Sequence, residues 1–71
     1  MNVADWIRKS REALGMSREQ LASRMNCSYD SVRVWESGGR APSAKSMGAL
    51  VQIFGVPKSL EWNGVRLEIE Q

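Results

Sequence analysis

The sequence predicts a small all-α domain of five short helices, followed by a tail that can form one β-strand. Three observations predict it. The chain has 71 residues, which suffices for a single domain with a small core. Apolar residues recur at helical spacing in several segments that are bounded by capping residues or glycine. Beyond residue 64 apolar and charged residues alternate instead, as in a half-buried strand. We therefore divide the chain into a domain at residues 1–64 and a tail at residues 65–71.

The composition is that of a globular protein. Hydrophobic residues make up 42% and charged residues 25% of the chain, so wholesale disorder is not expected. A single cysteine and no histidine provide neither a disulfide framework nor obvious zinc ligands, and we expect no metal or cofactor. No apolar run reaches the roughly 18 residues of a membrane span, and the N-terminus lacks a signal-peptide pattern. A cytoplasmic protein without a membrane partner is expected.

The net charge of +2 is mild but unevenly distributed. Residues 1–60 carry nine basic and five acidic side chains, or +4, whereas residues 61–71 carry one basic and three acidic, or −2. A basic body with an acidic tail suggests a polyanionic partner for the body. The same mixture of charges is often no more than a solvated surface.

The first helix is expected over residues 3–14. Val3, Ile7 and Leu14 fall on one apolar stripe of this segment. Gly15 follows and ends the helix in the usual C-terminal way.

The second and third helices are expected on either side of a tight turn. The sequence SREQ at residues 17–20 is a capping box, and it opens a helix to about Met25. Asn26 tolerates the left-handed backbone that such a turn demands. The third helix then runs to about Ser37, before Gly38-Gly39. The second helix would face inward through Leu21, Ala22 and Met25.

The fourth and fifth helices are expected after the loop GGRAPS. Ser43 is a plausible cap for the fourth helix, which Gly55 terminates. The segment VPKSLEW at residues 56–62 can form a short fifth helix with Pro57 in its first turn. The expected buried face of the fourth helix carries Met47, Leu50, Val51 and Phe54.

The tail after the Asn63-Gly64 turn signal has the period of a strand. Its apolar positions are Val65, Leu67 and Ile69. The rest of the chain shows no evident second strand, and a lone strand leaves its backbone groups unpaired. The tail would therefore pair with its copy in a second subunit or pack loosely along the helices.

Two helices of about eight residues joined by a tight turn match the helix-turn-helix motif. Ala22 is small where the two helices must approach closely, and Cys27 is expected as a small buried residue before the third helix. Val32 and Trp35 are spaced i, i+3 and would anchor that helix to the core. In this motif the N-terminal end of the second helix of the pair enters a DNA major groove. The outward residues at that end are Ser28, Tyr29, Asp30 and Arg33.

The chain resembles the phage repressor and Cro group of helix-turn-helix regulators, the XRE family. The likeness covers residues 3–64 and is carried by LGMSREQLA, then WESGGRAPS, then a helix ending in FGV. It implies a five-helix lambda-repressor-like domain that binds double-stranded DNA and regulates transcription, with no catalysis. Asn26 departs from the glycine that is commoner in the turn, and the tail past Gly64 is not part of the five-helix core.

Base reading is assigned to the third helix. Arg33 is the strongest candidate, since a guanidinium can bond both O6 and N7 of guanine. Asp30 could accept from cytosine N4, hold Arg33 in position, or serve only as a helix-dipole partner. Ser28 and Tyr29 could touch a base edge, a thymine methyl or a phosphate.

Phosphate contacts are implied by the resemblance at the start of the second helix and along the loop after the third. Such contacts position a protein without reading sequence. Each charged residue could equally be a solvated surface charge, and Gln20 could serve the capping box alone. Arg11 is also expected to form a partly buried ion pair with Glu36. The assigned set is Arg11, Arg18, Gln20, Arg40, Ser43 and Lys45.

A homodimer on a pseudo-palindromic operator is expected, because a lone module of this size buries too little surface for tight specific binding. The alternative is the antitoxin of a toxin–antitoxin pair, in which the acidic tail adds a strand to a protein partner. No nucleophile–base constellation favours an enzyme. The assigned dimer interface is Val56, Pro57, Leu60, Trp62, Val65, Leu67 and Ile69, although Trp62 could instead cover the core of its own chain.

Overall fold

The computed structural model describes residues 2–57, 59–62 and 65–68, the last two ranges by their backbone. Helices and strands follow one another along the chain with short connections. They are α1 (Val3–Ala13), α2 (Arg18–Met25), α3 (Tyr29–Ser37), α4 (Ala44–Phe54), β1 (Ser59–Trp62) and β2 (Val65–Glu68). No helix among the described residues has the length and apolar character that crossing a membrane requires.

Each helix begins at a polar residue whose side chain accepts a hydrogen bond from the third helical N–H. The four caps are Asn2, Ser17, Ser28 and Ser43. Such a bond satisfies a donor that the helix itself cannot pair, and each cap typically contributes about 1 kcal/mol. The predicted capping box is present, since Gln20 Oε1 also accepts from the Ser17 N–H at 2.7 Å.

The turn between α2 and α3 has the left-handed residue that the sequence predicts. Asn26 adopts φ 56° and ψ 45°. The next N–H, that of Cys27, donates to the Ala22 carbonyl at 3.0 Å. Ala22 is only 4% exposed, as expected for a small residue where two helices meet closely.

The core lies where α1, α2, α3 and α4 meet. Val32 and Trp35 anchor α3 as predicted, and the Trp6 and Phe54 rings of α1 and α4 meet edge to face at 5.6 Å. The buried hydrophobic residues are Val3, Trp6, Ile7, Leu21, Ala22, Val32, Trp35, Met47 and Leu50. Val51 and Phe54, predicted to be buried, are partly buried and pack against this cluster.

Leu14 was wrongly predicted to share the buried stripe of α1. It is 55% exposed. The helix ends at Ala13 and Leu14 is its C-cap. Gly15, at φ 69°, then turns the chain toward α2. The buried residues of α1 end at Ile7, about two turns before Leu14.

The expected fifth helix is wrong, because residues Ser59–Trp62 form strand β1. Antiparallel pairing joins β1 to β2 within the chain. The expectation that the tail lacks an intrachain partner is therefore also wrong. Backbone groups of both strands find partners in each other, which a lone strand cannot provide. Asn63, Gly64 and Ile69 lie outside the described residues.

The register of the β1–β2 pair determines which residues lie on the same face of the two-stranded sheet. Leu60 is opposite Leu67, and Trp62 is opposite Val65. Residues two apart on a strand share a side, as do directly opposed residues. These four apolar positions therefore share one side of the hairpin, and Ser59, Glu61, Arg66 and Glu68 share the other. Strand β1 lies next to α1.

Candidate nucleic-acid interface

Helix α3 has one buried side and one open side. Its buried residues are Val32, Trp35 and Glu36. Successive helical residues are rotated by about 100°, which places Asp30, Val34 and Ser37 opposite these three. Tyr29 and Arg33 lie at the edge of this open side, and both are exposed.

Arg33 and Asp30 form an ion pair on the open side of α3. Arg33 donates from Nε at 3.0 Å and from Nη2 at 2.7 Å to the same oxygen of Asp30. Of the three roles that the sequence leaves open for Asp30, the observed contact is the one that holds Arg33. The side chains are 52% and 70% exposed, so water or a base edge can reach both.

Ser28 and Tyr29 differ in how free their side chains are. Ser28 Oγ accepts from the Ser31 N–H at 3.1 Å and shares a 2.9 Å hydrogen bond with Ser31 Oγ. Its hydroxyl is therefore engaged in starting α3. Tyr29 is 45% exposed and lines a shallow groove with Arg18 and residues 17 and 19.

Glu36 is the buried charge at the other end of this surface. Its side chain is 2% exposed and accepts from Arg11 Nε at 2.7 Å and Arg11 Nη2 at 3.0 Å. Arg11 Nη1 also donates to the Met16 carbonyl at 2.8 Å. Hydrogen bonding with Glu36 raises the pKa of Arg11. The Arg11 side chain is only 11% exposed, and each of its three nitrogens donates within the protein. Arg11 therefore stabilises the fold and exposes little surface.

Arg18 reaches the same carboxylate from α2. Its Nε lies 3.3 Å from Glu36 Oε1, yet its side chain is 41% exposed. The Tyr29 side chain, and after it Glu36, raise the pKa of Arg18 by hydrogen bonding. The Arg18 guanidinium, which is charged at any physiological pH, is held at the surface beside Tyr29.

The remaining predicted phosphate ligands lie at the starts of α2 and α4 and in the loop between α3 and α4. Gln20 Oε1 is engaged in the capping box, and Ser43 Oγ caps α4 by accepting from the Ser46 N–H. Arg40 and Lys45 are exposed. Lys45 lines a groove with residues 25–27 of the α2–α3 turn, so the start of α4 lies next to that turn.

Among the predicted dimer residues, Val56 is 46% exposed and Pro57 is partly buried. Leu60, Trp62, Val65 and Leu67 are described by their hairpin positions, and Ile69 lies outside the described residues.

Val34 was missed by the sequence reasoning, which considered only two apolar residues of α3. It is partly exposed and lies at the middle of the open side. A helical projection of residues 29–37 would have found it, since Val34 falls opposite the anchors Val32 and Trp35. The Arg18–Glu36 contact was also missed, and it has no local signal because the two residues are 18 positions apart.

A tight turn joins α2 to α3 and leaves one side of α3 exposed, which is the arrangement of a helix-turn-helix motif. A family model described as Helix-turn-helix matches residues 7–60, well over half of the chain. The chain belongs to this family, the Cro/C1-type regulators of the XRE group, and is a DNA-binding transcriptional regulator. No curated protein was found to match it.

Proposed function

We propose that this regulator is repressor- or Cro-like and binds a pseudo-palindromic operator as a homodimer, with α3 in the major groove. The observation that carries the proposal is the anchoring of α3. Val32, Trp35 and Glu36 hold one side of the helix in the protein, which leaves its open side for a groove that is wide enough to admit an α-helix.

Base reading in this proposal comes from the open side of α3. Arg33, held by Asp30, can donate to guanine O6 and N7, and Tyr29 can reach a base edge or the sugar–phosphate backbone. Val34 is an apolar contact for a thymine methyl group. Ser28 is assigned to orienting the start of α3, since its hydroxyl is engaged in the cap.

Backbone contacts come from exposed cations around α3. We assign them to Arg18, Arg40 and Lys45, with the amide nitrogen of Gln20 and the helix start at Ser43 as neutral donors. Arg11 is proposed first as the structural partner of Glu36, because bonds within the protein use three of its five N–H donors. The two remaining donors are the ones from which a phosphate can accept.

The homodimer is proposed through the apolar side of the hairpin and the neighbouring Val56. Four apolar positions on one side of a two-stranded sheet, Leu60, Trp62, Val65 and Leu67, suit a self-complementary contact. Two recognition helices would then lie about 34–36 Å apart, one turn of DNA. The antitoxin alternative gains no support. It requires the acidic tail to add a strand to a protein partner, and the family match carries no sign of such a partner.

Selection from a random pool of duplexes tests the proposal. We expect the selected duplexes to share an inverted repeat. The affinity should fall steeply as salt rises, because the bound protein cations displace counterions from the phosphates. The complex should sediment as two chains per duplex. Enrichment of no motif, together with binding indifferent to salt, would contradict it. A monomer at high concentration, with and without the duplex, would contradict the dimer alone.

A further inference from the structure

We infer that Glu36 is a positioning residue for DNA binding, which holds the Arg18 guanidinium beside Tyr29 for contact with a backbone phosphate. This inference rests on the proposed function and adds a role to a buried carboxylate that does not itself face the DNA.

One carboxylate serves two guanidinium groups from two other helices. Glu36 Oε2 accepts from Arg11 Nε at 2.7 Å, while Oε1 accepts from Arg11 Nη2 at 3.0 Å and from Arg18 Nε at 3.3 Å. Arg11 comes from α1 and Arg18 from α2, so α3 is tied to both by the same side chain.

The charges of this cluster do not cancel. Two positive charges meet one negative charge, and Arg11 with its paired geometry suffices to neutralise Glu36. The surplus positive charge is therefore on Arg18, whose side chain is 41% exposed whereas that of Arg11 is 11% exposed. Its bond to Glu36 uses Nε, which leaves the terminal nitrogens available to Tyr29 and to an anion.

The position of Glu36 explains why such a contact is useful. Glu36 is in the last turn of α3, and Arg18 is the first residue of α2. Held by Glu36, the guanidinium keeps a set position relative to the helix that reads bases. An arginine that is free to move would have to be immobilised on binding, at a cost in entropy that a fixed one avoids.

Removal of the Glu36 charge distinguishes a positioning role from a purely electrostatic effect, because the two predict opposite changes in DNA affinity. Glu36→Gln removes a negative charge near the DNA, which on charge alone should tighten binding. We expect it instead to weaken operator binding by about tenfold, the loss of roughly one charge-assisted hydrogen bond. Glu19→Gln is the matched control, since Glu19 lines the same groove but enters no ion pair among the described side chains. It should bind as tightly as the parent or more tightly.

A double-mutant cycle with Arg18→Ala distinguishes a loss of the Arg18 contact from a loss of affinity that comes only from a destabilised fold. Arg18→Ala leaves the Arg11–Glu36 pair in place and should weaken binding by about tenfold. Adding Glu36→Gln to it should then cause no further loss, because the group that Glu36 positions is gone. Urea unfolding of the parent, the two single mutants and the double mutant gives the stability of each. It shows whether each protein is fully folded under the conditions of the binding measurement.

Three results would overturn the inference. Glu36→Gln could bind as tightly as the parent, it could weaken binding equally with and without Arg18, or Arg18→Ala could bind normally. In each of these the parent still selects a specific duplex, so the proposed function would stand. A parent protein that binds no duplex specifically would overturn both.

Discussion

Arg33 donates to a single carboxylate oxygen of Asp30 from both Nε and Nη2, at 3.0 and 2.7 Å, on the open side of α3. Both side chains are more than half exposed, and exposed pairs of this kind contribute only about 0–1 kcal/mol. The pair therefore orients the guanidinium, and Arg33 can exchange its bonds to Asp30 for bonds to a guanine edge at little cost in free energy.

Arg33 and Arg40 should differ in the kind of binding energy that they supply. Arg33→Ala should relax the preference at one base position by about 1–3 kcal/mol, whereas Arg40→Ala should weaken all sequences alike and reduce the salt slope by about one. Titrations of the operator and its single-base variants at several salt concentrations measure both quantities. Identical behaviour of the two mutants would show that the assigned roles are wrong.

Val34 should recognise a thymine methyl group. Val34→Ala should lower affinity for the operator by about fivefold, close to the free energy of burying one methylene-sized group. Duplexes with uracil in place of thymine identify the position, because uracil lacks only the methyl group. One such replacement should weaken the parent protein and leave Val34→Ala unaffected, while the other replacements act equally on both. A mutant that is as sensitive to every uracil as the parent would exclude this contact.

The Arg11–Glu36 pair should matter far more for stability than the Arg8–Asp5 pair on the surface. Arg11→Ala leaves the carboxylate of Glu36, 2% exposed, without its main partner, which typically costs about 3–5 kcal/mol. Arg8→Ala removes an exposed pair at 3.1 Å and should cost at most about 1 kcal/mol. Urea unfolding of both mutants gives the comparison, and equal losses would contradict it.

Asn26 should tolerate glycine better than alanine. Its φ of 56° lies in the left-handed region, where a Cβ without a locally bonding side chain is unfavourable by about 1–2 kcal/mol. Asn26→Ala should therefore lower the free energy of unfolding by about 1 kcal/mol, and Asn26→Gly should leave it nearly unchanged. Thermal unfolding distinguishes the two, and a fully stable alanine mutant would be the contrary result.

Partial burial of Cys27 should make stability depend on alkaline pH. Burial raises the pKa of the Cys27 thiol, so the unfolded chain loses this proton first as pH rises. From about pH 8.5 upward the free energy of unfolding therefore falls, until the thiol of the folded state ionises as well. Well below pH 8.5 the thiol is protonated in both states and contributes no pH dependence. Comparison of unfolding at pH 7 and pH 9.5 in the parent and in Cys27→Ala tests this. The difference between the two pH values should be smaller in the mutant.

Local features were predictable because their physical causes extend over only a few residues. A capping serine bonds the N–H three residues ahead, as Ser17 does with Gln20, and a left-handed turn depends on the residue that adopts it, as at Asn26. The fifth helix was wrong for a related reason. Pro57 suits the first turn of a helix as well as the start of a strand. Asn63-Gly64 between alternating apolar residues is a hairpin signal as well as a turn signal.

The sequence by itself determined the four capped helices, the left-handed turn and the residues that anchor α3, since short-range hydrogen bonds and the period of apolar residues decide them. Only the tertiary structure decided that Glu36, whose pairing with Arg11 the family resemblance implies, also meets Arg18. Arg18 reaches Glu36 across 18 positions of chain, and β1 pairs with β2 although residues 56–62 suit a helix when taken alone. Such choices depend on which partner a group finds once the chain is packed, because a buried charge or an unpaired strand is stable only with that partner present.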